Sequence, residues 1–134
     1  MTIKTVITGI SHVGMRVHDL ARSRAFYELL GFEFKAGPMG PEPVAIVIHP
    51  SGIEINFILN AAKADAVNVL MDLPDKHPGY THIALAVSDL RVVERDLKDA
   101  EIALSGGPIT FPNGSSSIFI RDPDRNVIEF NQSR

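Results

Sequence analysis

Histidine and glutamate are the residues here whose types and spacing could do chemistry. His12 lies in GISHVGMRV and His82 in GYTHIALAV, two stretches that align without a gap at an offset of 70 residues; Val17, Asp19 and Leu20 are matched by Val87, Asp89 and Leu90. Two glutamates recur in a similar way, Glu54 in HPSGIEINF and Glu129 in DPDRNVIEFNQ, each after a proline turn and within an apolar strand. A carboxylate in such a strand is costly to bury unless its charge is compensated. Singly, a strand histidine is ordinarily a half-buried hydrogen-bonding group, and a strand glutamate an edge charge facing solvent. Two of each at repeated positions make one metal site, formed by His12, Glu54, His82 and Glu129, the economical explanation. The chain has no cysteine, which excludes a disulfide framework and a thiolate-held zinc and leaves nitrogen and oxygen as ligands. Two neutral imidazoles and two carboxylates leave a divalent ion formally uncharged, with positions open for water or substrate oxygens. The same set accepts Ni, Co, Zn, Mn or Fe without distinguishing them.

The elements that must position these groups are legible from periodicity. In the first stretch Val13, Met15 and Val17 fall on one face of a strand and His12, Gly14 and Arg16 on the other; in the second, Ile83, Leu85 and Val87 oppose His82, Ala84 and Ala86. Each histidine thus shares a face with small residues, as in a cleft wall, and Arg16 shares the face of His12. Asp19 and Asp89 are suited to cap helices that follow directly. The second helix carries Leu90, Val93, Leu97 and Ala100 at helical spacing, and the first, with Leu20, Phe26, Leu29 and Leu30, stops at Gly31. Three strands follow in each half: FEFKA, VAIVIH and IEINFIL, then IALSG, SSIFIR and NVIEFN. Between the halves AAKADAVNVLMDLP reads as helical as far as Pro74, and DKHPGY as a connection. The chain divides into a module over 1–60, a helical linker over 61–78 and a second module over 79–134. His18, His49 and His77 have no repeat partner and carry no site.

Bulk composition narrows the partners. A chain of 134 residues, 45% hydrophobic and 22% charged, is an ordinary globule of one domain built from two small modules. A formal charge of -3, with both signs mixed throughout, offers no basic stripe for a phosphate backbone. No apolar run is long enough to span a bilayer, and MTIKTVITGI lacks the apolar core and cleavage site of a signal peptide. The expectation is a cytoplasmic protein acting on a small molecule, without nucleic acid or membrane.

The duplicated unit, with SHVGMRVHDLARSRAFYELLGFEF opening the first half, THIALAVSDL opening the second and DPDRNVIEF closing it, resembles the vicinal oxygen chelate superfamily over nearly the whole chain. That group contains glyoxalase I, extradiol dioxygenases, methylmalonyl-CoA epimerase, and fosfomycin- and bleomycin-resistance proteins. The resemblance implies an α+β fold of two tandem βαβββ modules forming an open, cup-shaped mixed sheet around one divalent metal ion per site. In glyoxalase I-like proteins each module gives a His or Gln from its first strand and a Glu from its last, a scheme that His12, Glu54, His82 and Glu129 match. The implied activity is a metal-dependent lyase or isomerase acting on an α-hydroxycarbonyl or thiol hemithioacetal through an enediolate. Its base would be Glu129 first, with Glu54 from the opposite face.

Arg16 matches an arginine that bacterial glyoxalase I uses to hold the glutathione carboxylate, which makes glutathione a candidate co-substrate. Two features depart from that pattern. The family's asparagine after the first glutamate is replaced by Ile58, with Asn56 and Asn60 as nearby substitutes, and GPITFPNGSSS has no basic residue. Extradiol dioxygenases and fosfomycin-resistance proteins use two His and one Glu, and bleomycin-binding relatives no metal. An iron-dependent ring-cleaving dioxygenase and a drug- or metabolite-binding protein are therefore the alternatives. The resemblance and the proline-bearing connection LPDKHPGY also imply a homodimer that shares modules. Each site would join His12 and Glu54 of one chain to the partner's His82 and the partner's Glu129.

Overall fold

Alternating burial and two capped helices account for most of the backbone. The computed structural model describes residues 1–62 and 67–134, which form two compact units, Met1–Ala64 and Asp65–Arg134. In the first, a single exposed turn of helix, α1 (Ile3–Val6), precedes β1 (Val13–Arg16), α2 (Leu20–Leu29), β2 (Glu33–Met39), β3 (Val44–Ile48) and β4 (Glu54–Ile58). The sheet order is β1-β4-β3-β2, with β1 parallel to β4 and the other pairs antiparallel. Met15 and Val17 are buried, whereas Gly14 and Arg16 between and beside them are exposed. The Asp19 carboxylate accepts from the Arg22 amide at 2.8 Å, satisfying one of the free donors of the first helical turn. The helix closes at Gly31, whose φ of +95° a side chain would oppose. Tyr27, fully buried, packs against the rings of Phe26, Phe32 and Phe57, and its hydroxyl donates to Met15 Sδ at 2.9 Å.

The second unit repeats the plan with β5 (His82–Ala86), α3 (Leu90–Asp99), β6 (Gly106–Thr110), β7 (Ser116–Arg121) and β8 (Val127–Gln132) in the order β5-β8-β7-β6. Its core is Leu85, Leu90, Leu97, Ile118, Ile120, Ile128 and Phe130. The Asp89 carboxylate accepts from the Arg91 amide at 2.9 Å. Hydrogen bonds from the Arg91 guanidinium hold that carboxyl below its ordinary range. The chain is therefore an α+β protein of two tandem βαβββ modules, as its sequence implies.

Two elements differ from expectation. The strand placed at IALSG begins later, at Gly106. Glu101 adopts a left-handed φ of 58° and the Ile102 amide turns back to the Leu97 carbonyl at 2.8 Å, so the chain is still closing the helix; it meets β7 only at Ser105, whose amide donates to Phe119 O at 2.8 Å. The helix placed at AAKADAVNVLMDLP falls partly on residues 63–66, outside those described. From Val67 onward it is replaced by turns. The Asn68 side chain takes the amides of Leu70 at 3.0 Å and Met71 at 3.2 Å, a local alternative to helix that short amide side chains offer.

These turns are fastened to the second module. The Asp72 carboxylate accepts from Arg125 Nε at 2.9 Å and from an Arg121 guanidinium nitrogen at 2.9 Å, while Asn68 Nδ2 donates to the Arg125 carbonyl at 3.1 Å. Hydrogen bonds from Arg125, then Arg121, hold the Asp72 carboxyl well below the usual carboxylate range. A depressed folded-state pKa contributes stability that is present above the unfolded value and lost as pH falls through the folded one. Asp72→Asn is expected to lower stability at neutral pH by about 1.5–3 kcal/mol, the range for hydrogen bonds to charged groups. The gap from wild type should start to shrink below about pH 4. Urea melts of both proteins across that range check this; equal stability at neutral pH would reject the clasp.

Candidate metal and substrate site

In the second module the sheet brings an imidazole and a carboxylate into contact. Parallel pairing of β5 with β8 sets His82 beside Val127 and Ala84 beside Glu129, on the face away from Leu85, Ile128 and Phe130. His82 Nε2 lies 3.0 Å from Glu129 Oε1. The other ring nitrogen, Nδ1, is 2.8 Å from the Thr81 hydroxyl. The second carboxylate oxygen, Oε2, accepts from Ser117 Oγ at 2.6 Å, and Ser117 Oγ in turn accepts from Asn131 Nδ2 at 2.8 Å. Ser117 is fully buried. The Glu129 side chain is only 12% exposed against 36% for His82, so the carboxylate is held at both oxygens while the imidazole edge stays accessible.

The first module pairs its histidine and glutamate more loosely. His12 Nδ1 lies 3.9 Å from Glu54 Oε2 and 3.0 Å from the Ser11 hydroxyl. The Glu54 side chain is 26% exposed and accepts no hydrogen bond among the described residues.

The register shows why, and corrects the repeat correspondence drawn from sequence. The turns before β4 and β8 close alike: His49 N donates to Ile53 O at 2.8 Å and Asp122 N to Asn126 O at 2.9 Å, with left-handed φ at Gly52 (98°) and Arg125 (67°). Counted from these turns, Glu54 corresponds to Val127, and Asn56 to Glu129. The ladders agree, since Gly14 pairs with Asn56 and its repeat mate Ala84 with Glu129. Matching the two motifs on the shared Ile-Glu dipeptide set the strands two residues out of step. The polar support also belongs to one module: Ser117 pairs with Asn131 on β7 and β8, whereas Val44 pairs with Ile58 on β3 and β4.

Asn56 stands at the first module's counterpart of Glu129 with its Oδ1 buried and no donor reaching it among the described residues. A buried acceptor in that state marks a place where a partner belongs. Arg16 is exposed on the His12 face of β1; its Nε donates to Asn60 Oδ1 at 2.8 Å and its Nη2 to Glu42 Oε1 at 3.3 Å. A ligand carboxylate reaching Arg16 would exchange with that of Glu42. His18 lies 2.6 Å from the Ala62 carbonyl and His49 2.7 Å from the Ser51 hydroxyl.

The donor set suits a divalent ion. Two ligands about 2.1 Å from a common ion and at right angles to each other lie about 3.0 Å apart, which is the spacing of His82 Nε2 and Glu129 Oε1. Thr81 and Ser11 sit where outer partners of ligating imidazoles are ordinarily found. Among the described residues no three His, Asp or Glu side chains gather into a metal-holding group; each module gathers two. Ser117 was missed in the sequence, where its one signal was a polar residue at an inward position of SSIFIR; alternation along the last strand puts Asn131 on the face of Glu129 but gave it no role.

Residues 9–130 match the family model described as Glyoxalase/Bleomycin resistance protein/Dioxygenase superfamily. No curated protein matches the chain at a significant level. Among solved structures, a glyoxylase/bleomycin resistance protein/dioxygenase domain from Frankia sp. is 24% identical with a TM-score of 0.75, covering 96% of this chain and 99% of that one. An antibiotic-binding protein from Streptomyces sp. is 22% identical with a TM-score of 0.73, covering 97% and 99%. A lactoylglutathione lyase from Agrobacterium tumefaciens is 20% identical with a TM-score of 0.70, covering 96% of each chain. No helix among the described residues is long and apolar enough to cross a membrane.

Proposed function

The chain belongs to the glyoxalase/bleomycin resistance protein/dioxygenase superfamily, and from that membership we propose that it is a metal-dependent enzyme of glyoxalase I type, acting on a small α-hydroxycarbonyl or thiol hemithioacetal. The observation that carries this reading is the His82–Glu129 contact at 3.0 Å, with Ser117 and Thr81 behind it. In this reading His12, His82 and Glu129 hold the ion and Asn56 lines the remaining side. The bound ion would act as a Lewis acid for negative charge developing on two neighbouring substrate oxygens.

The two glutamates divide the labour. Glu129 has both oxygens engaged and serves as ligand. Glu54, with an untied carboxylate, takes the proton from the hydroxyl-bearing carbon beside the substrate carbonyl and returns it to the former carbonyl carbon, a transfer without net redox change. Arg16 receives an acidic substrate group by exchange with Glu42. The protein acts as a homodimer, His12 and Glu54 of one chain working with the partner's His82 and the partner's Glu129.

A second reading is favoured by Asn56 at the Glu129-equivalent position: two imidazoles and one carboxylate with open positions are also the ligand set of non-haem iron oxygenases. One experiment separates the readings. Protein purified without chelators is analysed for metal, then assayed in deuterated water with the methylglyoxal–glutathione adduct and, separately, for oxygen uptake with a catechol. The isomerase reading predicts nickel, cobalt, zinc or manganese and an isomerised product. Iron with oxygen consumption would replace that reading with the second, and absence of any metal would reject both in favour of a binding protein.

A further inference from the structure

We propose that Ser117, supported by Asn131, is a positioning residue that fixes the Glu129 carboxylate for metal binding; this rests on the site proposed above. Ser117 is a fully buried hydroxyl on β7, on the Glu129 face of the sheet and opposite the core residues Ile118 and Ile120. Its placement is accounted for by the polar chain it completes: Asn131 Nδ2 donates to Ser117 Oγ at 2.8 Å, and Ser117 Oγ donates to Glu129 Oε2 at 2.6 Å. The direction of that chain is fixed, because an amide nitrogen can only donate and an ionised carboxylate can only accept. The hydroxyl proton is thereby committed to Oε2, leaving Oε1 on the side of His82.

The other module supplies the contrast. Where the second module has Ser117 paired with Asn131, the first has Val44 paired with Ile58. The polar support thus exists only in the module that presents a carboxylate at this ladder position. A hydrogen-bonded carboxylate loses its rotational freedom before the ion arrives, so less ordering is needed on binding, and outer partners of this kind are worth about 10- to 100-fold in metal affinity.

The test is cobalt(II) binding to full-length metal-free protein, followed by visible absorption and calorimetry, with thermal unfolding of the metal-free forms in parallel. Ser117→Ala should weaken cobalt binding by about 10- to 100-fold while the metal-free protein stays folded. Ser117→Thr, which keeps the hydroxyl, should restore most of the affinity. Asn131→Ala, at a half-buried position outside the core, should weaken binding by a smaller factor and covers the case in which a position 117 variant does not fold. Wild-type affinity in Ser117→Ala or in Asn131→Ala would overturn the positioning role while leaving the metal site standing. No cobalt binding by wild type would overturn the site itself, and the positioning role with it.

Discussion

Glu129→Gln is expected to bring bound metal close to zero, whereas Glu54→Gln is expected to keep it and lose turnover. The two substitutions are chemically identical, each replacing a carboxylate by an amide of the same shape, so any difference between them comes from position. At Glu129 the change removes the negative charge that faces His82 at 3.0 Å and presents an amide to Ser117, whose hydroxyl now donates to Oε2. An amide is a poor substitute for an ionised ligand to a divalent cation. At Glu54 no hydrogen bond is disturbed, and the nearest imidazole nitrogen is 3.9 Å away. What is lost there is the ability to accept a proton, worth about 10²- to 10⁴-fold in rate for a positioned base. Metal content by elemental analysis and kcat for each variant check the pair. Loss of metal in both would return Glu54 to the ligand set, and full activity in Glu54→Gln would remove it from the mechanism. Both variants should unfold near wild type, because neither side chain belongs to the core.

That assignment of roles could be read only in part from the sequence. The strand alternation around His12 and His82, the caps at Asp19 and Asp89 and the stop at Gly31 follow from local rules, and the structure has each of them. Register does not follow from such rules. Glu54 and Glu129 both sit in an Ile-Glu dipeptide after a proline turn, and along the sequence that coincidence is indistinguishable from equivalence. The hydrogen bonds that close each turn, His49 to Ile53 and Asp122 to Asn126, and the ladder pairs that follow show that the strands start two residues out of step. A shift of two keeps every side chain on its face, so the hydrophobic pattern carried no warning. Ser117 was hidden for a different reason: a serine in SSSIFIR gains meaning only from Glu129 and Asn131 on the neighbouring strand. From Val67 onward the connection takes turns instead of the expected helix, because Asn68 captures the amides of Leu70 and Met71.

Mixing His12→Ala protein with Glu129→Ala protein, each inactive alone, is expected to recover roughly a quarter of wild-type activity after subunit exchange, for a two-fold dimer with two shared sites. Random exchange makes about half of the dimers mixed, and in each of these one site collects both lesions while the other is intact. The expectation rests on the homodimer proposed above, in which His12 of one chain works with the partner's Glu129. The turns that carry Asp72 and Asn68 are fastened to Arg121 and Arg125 within the second module, and the prolines of LPDKHPGY follow that clasp, between it and β5. Exchange is verified independently with differently tagged subunits, and recovery is then read as activity and as restored metal content in the mixed species. If exchange is complete and neither returns, His12 and Glu129 act within one chain; the ion would then be held by a monomeric site, and the shared-module dimer would be rejected while the ligands themselves remained in place.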